Sequence, residues 1–171
     1  NAMAMALLPL AVAAVGIIAS VIGTFFVSAK DEHGLHSALF RGLIIASVIV
    51  VGAAYGLTNG ALEFIPAELD SGKMMTGMSL FWAIVAGLTS GVVIGKITEY
   101  YTAMETAPAQ YIAKQSQTGP ATNIIHGLAT GMESVALPVI TICLAIWIAY
   151  SQADVYGVAI AAVGMLSTLG I

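Results

Sequence analysis

The chain has 171 residues, 59% of them hydrophobic and only 8% charged, with a mean hydropathy of +0.97. Soluble domains carry roughly 25% charged residues, so this chain has more apolar surface than a water-soluble fold of its size can bury; it belongs in a membrane, with room for about five spans of roughly 20 residues. The net charge of −4 is spread thinly and forms no basic patch, which leaves nucleic-acid binding without support. Cys143, the single cysteine, stands in an apolar run, and neither a disulfide framework nor a metal cluster can be built from it.

In chain order, the first 29 residues carry no charge, and the first span is expected over 4–28. It lacks the positive n-region of a signal peptide and is too long for one. Ala13, Gly16, Ser20 and Gly23 place small residues on one face, where a neighbouring helix can come close. Lys30, Asp31 and Glu32 begin a short polar loop, and Arg41 introduces a second span over 39–58. Gly52 and Gly56 form a GxxxG pair there, a contact signal that chance often supplies in apolar segments. The connection 61–73 holds Glu63, Pro66, Glu68 and Asp70, an acidic loop expected to be a solvated turn with one short helical turn.

The third span is expected over 74–99. Phe81 and Trp82 near its start and Tyr100 and Tyr101 beyond its end suit aromatic belts at two interfaces. Gly87, Gly91 and Gly95 repeat every four residues, a stronger contact stripe than the isolated pair before it. The following loop contains Pro108 and then AQYIAK, a segment expected to lie as a short helix at the interface. Gly119 and Pro120 mark the start of the fourth span, 120–150, because proline suits the first helical turn. The last run, 155–171, would reach about 25 Å, short of a roughly 30 Å hydrocarbon core. The expectation is therefore a chain cut inside its fifth helix. The fold class is all-α: a polytopic bundle of about five transmembrane helices, the last truncated.

Lys30, Arg41, Lys96 and Lys114 fall in loops on one side and Lys73 alone on the other. The positive-inside rule puts the first group in the cytoplasm. The stretch from Thr118 to Ser134 then lies at the cytoplasmic end of span four. On a helix Asn123, His126, Thr130 and Glu133 form a polar line, and Gly127, Gly131 and Ser134 an adjacent small-residue line. If Trp147 and Tyr150 anchor the outer interface, about 20 residues of helix reach back to near position 131, so Glu133 sits near the cytoplasmic boundary. An acid at mid-bilayer would cost about 2.5 to 3.5 kcal/mol. At the boundary Glu133 need be neither paired nor functional. Two functional readings stand beside a structural hydrogen-bonding stripe: Glu133, Thr130 and His126 as part of an ion path, or the helix start at Pro120 to Asn123 as a phosphate site. No lysine or glycine-rich cradle stands beside that helix start, which favours ordinary capping.

The string TGPATNIIHGLATGMES, with ITEYYT upstream and ALPVI downstream, resembles the membrane-bound, ion-pumping inorganic pyrophosphatases. LLPLAVAAVGIIASVIGTFF at the start and YGVAIAAVGMLSTLGI at the end agree with it, so the resemblance covers most of the chain. It implies a homodimer of subunits with about sixteen helices in two rings, which hydrolyses magnesium pyrophosphate at a cytosolic site and pumps H⁺ or Na⁺ outward. This chain would be outer-ring helices seven to ten and the beginning of helix eleven, packed against the remaining helices of the same pump in the bilayer. The membrane is then a prokaryotic plasma membrane or that of an acidic organelle. The resemblance places the family's catalytic and Mg²⁺-binding residues on the inner ring, outside this chain, and any K⁺ requirement also depends on inner-ring positions. The matching motif residues Thr118, Gly119, Pro120, Asn123, His126 and Glu133 are accordingly expected to be structural. The competing readings are a small secondary transporter or channel subunit using Glu133 and His126, and a purely structural helix module.

Overall fold

The computed structural model describes residues 2–27, 35–61, 67–68 and 74–167. Five α-helices account for nearly all of them: α1 Ala2–Phe25, α2 Leu35–Gly56, α3 Gly77–Thr102, α4 Ala107–Gln115 and α5 Pro120–Leu166. Four segments are long and apolar enough to cross a membrane: Met5–Phe25, Ala38–Gly60, Gly77–Gln115 and Pro120–Leu166. The fold is an all-α, multi-pass membrane bundle. α2 closes with a π-helical turn, Leu57–Ala61. Strands β1 Ala67–Glu68 and β2 Met74–Met75 pair antiparallel, with Ala67 opposite Met75 and Glu68 opposite Met74. Within the acidic connection Ala67 and Glu68 form a strand; residues 62–66 and 69–73, where the expected helical turn would also fall, lie outside the described residues.

α3 begins at Gly77, three residues after the sequence-based start. The reason is local: Thr76 and Ser79 cap the helix reciprocally, with the Thr76 N–H donating to Ser79 Oγ at 3.0 Å and the Ser79 N–H donating to Thr76 Oγ1 at 3.4 Å.

The chain divides into two compact units, Asn1–Thr89 with Ala145–Ile171, and Ser90–Leu144. In the first, one cluster joins Leu8, Val12, Ala54, Met75, Leu80, Ile84, Ala153 and Ile160. A second joins Ala19, Ala46, Val50 and Leu88, and a third Ala83, Ala149 and Ala161. Alanine recurs in all three clusters: lipid is as apolar as a side chain, so close backbone approach between small residues supplies attraction that the hydrophobic effect cannot. Of the Gly87, Gly91 and Gly95 stripe, Gly87 lies directly against the Ala161 carbonyl, whereas nothing described comes within 4 Å of a Cβ placed at Gly95. The Gly52 and Gly56 pair also meets nothing within 4 Å.

α5 is broken. Its 47 residues would run about 70 Å as one rod, over twice the hydrocarbon thickness. At Ala153 (φ −149°, ψ 32°) and Asp154 (φ 54°, ψ −144°) the backbone leaves helical geometry. Gly157 packs against the Ala149 carbonyl, although eight residues of straight helix would separate them by about 12 Å. Within the first unit the chain therefore turns back between residues 145–152 and 155–166. Across the turn the Asp154 side chain lies close to the Tyr150 hydroxyl, and the Tyr156 hydroxyl donates to the Met5 carbonyl of α1 at 2.7 Å.

Candidate functional site

The polar stretch opening α5 lies within the second unit, with the end of α3 and with α4. α4 is a nine-residue helix preceded by Thr106 in extended backbone, with Pro108 in its first turn and no buried side chain. Thr118 and Gly119 then set up the start of α5. Gly119 has φ 140°, a left-handed conformation that L side chains rarely adopt, so glycine is the residue this entry needs. The Thr118 hydroxyl donates to the Gln115 carbonyl at 2.7 Å and lies 2.7 Å from Thr122 Oγ1. Thr122 Oγ1 donates to the Gly119 carbonyl at 2.8 Å, and the Asn123 N–H closes on the same carbonyl at 3.2 Å. These hydroxyls tie the end of α4 to the first turn of α5. Pro120, whose missing N–H leaves no orphan donor, occupies the first position.

The other motif residues are placed separately. Asn123 is half-buried, and its Oδ1 is an acceptor with no hydrogen-bond partner among the described residues. His126, also half-buried, meets Tyr111 of α4 edge to face, with ring centroids 5.1 Å apart and planes at 85°. Tyr111 was not legible as a partner, because fifteen residues and a turn separate it from His126 and no spacing rule links them. Glu133 is exposed, one turn beyond the half-buried Thr130, and no ion pair to it occurs among the described residues. Lys96 and Glu99 of α3 form an ion pair at 3.1 Å. No group of three or more His, Cys, Asp or Glu that could hold a metal ion occurs among the described residues.

Beyond Glu133 the first arm of α5 exposes apolar side chains around its whole circumference, among them Val135, Ile140, Leu144 and Trp147. Pro138 lies within it and leaves the Ser134 carbonyl without its helical donor. Such an arm faces lipid or further helices on every side.

Fold and site together define an integral membrane helix bundle with a hydroxyl-linked helix entry at Thr118, Gly119 and Thr122. Residues 2–171 match the family described as inorganic H⁺ pyrophosphatase. The chain belongs to that family. It is similar to a K(+)-insensitive pyrophosphate-energized proton pump of Caldanaerobacter subterraneus subsp. tengcongensis, 42% identical over 173 residues that cover 95% of this chain and 24% of that protein. A putative K(+)-stimulated pyrophosphate-energized sodium pump of Clostridium tetani is 36% identical, again over 95% of this chain and 24% of the relative. A pyrophosphate-energized proton pump 2 of Mycoplana dimorpha is 40% identical, over 95% of this chain and 78% of the relative. The chain thus spans about a quarter of the length of the first two relatives.

Proposed function

We propose that this chain is the outer-ring scaffold of a pump that hydrolyses inorganic pyrophosphate at a cytosolic, Mg²⁺-dependent site and moves H⁺ or Na⁺ out of the cytoplasm. The observation that carries the reading is the family match along 2–171, with relatives named as pyrophosphate-energized pumps. Mg²⁺, and K⁺ where required, are then held by parts of the protein outside this chain, and pyrophosphate is bound there too. Subunits pair as homodimers, as the resemblance implies. The relatives include a named proton pump and a named sodium pump at similar identity, so this region does not separate the two ions.

The transporter alternative needs His126 and Glu133 as an ion path. The edge-to-face contact with Tyr111 supports a packing role for His126 instead. Membranes containing the full-length protein are expected to release phosphate from pyrophosphate only with Mg²⁺ present; no release would reject the reading. Acidification of vesicles against uptake of labelled Na⁺ then identifies the ion.

A further inference from the structure

We draw no further inference here: the strongest candidate, the apolar groove between α1 and the end of α5 lined by Ala13, Ile17, Ser20, Val163, Leu166 and Ser167, carries nothing, because the Ser20 hydroxyl is buried beyond the reach of an occupant and nothing in the structure shows what covers the apolar walls.

Discussion

At Gly87 a single hydrogen lets α3 rest on the backbone of α5 at Ala161, and any side chain there would push into that carbonyl. Overpacking a tight contact costs about 1 to 3 kcal/mol. Gly87→Leu is therefore expected to lower the unfolding midpoint of the detergent-solubilised protein well below that of Gly95→Leu, where the described surroundings leave room; equal effects would contradict the crossing. The spacing of the Gly87, Gly91 and Gly95 stripe was legible in the sequence, but which glycine makes contact was not. Periodicity marks a face, and the partner's position along it decides where backbones touch. Tyr156 carries a second prediction: its hydroxyl satisfies the Met5 carbonyl, and Tyr156→Phe should cost about 1 kcal/mol, read as a lower midpoint in a denaturant titration. Nothing in the sequence singled out that tyrosine, since its acceptor is a backbone atom 151 residues away.

Among the elements, the helices were legible because each is an apolar run long enough to span. Their boundaries moved by a few residues where side chains cap the backbone, as Thr76 and Ser79 do for α3. The break in α5 is the instructive case. Gln152, Ala153 and Asp154 contain neither glycine nor proline, yet Asp154 takes φ 54° and ψ −144°. An L residue in sparsely populated backbone stores about 1 to 3 kcal/mol, and contacts around the turn hold it there: Gly157 on Ala149, and Tyr150 with the Asp154 side chain. Asp154→Gly and Asp154→Ala both lose the side-chain contact, but only glycine relieves the backbone. The glycine variant should be the more stable of the two by about 1 kcal/mol, checked by paired thermal melts; an alanine variant of equal stability would show that the turn is unstrained. α4 was foreseen from Pro108 and AQYIAK, whereas its Tyr111 contact to His126 depends on how the turn at Gly119 folds the chain back.

For the whole molecule, the family was legible from a few strings, above all TGPATNII, while the contacts those residues make became visible only in three dimensions. Gly119, Thr118 and Thr122 build a tight entry into α5, and His126 rests on the helix before it. In this chain the motif starts a membrane helix, and on our account it performs no step of the reaction. The most direct test is phosphate release and ion transport measured together in vesicles bearing the full-length protein with Glu133→Gln or His126→Phe. Removing a group that transfers a proton in a reaction costs about 10²- to 10⁴-fold. The account predicts hydrolysis and pumping close to those of the unsubstituted protein in both variants. Hydrolysis lost by that factor, or pumping lost with fold and hydrolysis intact, would contradict it and return these residues to the reaction or the ion path.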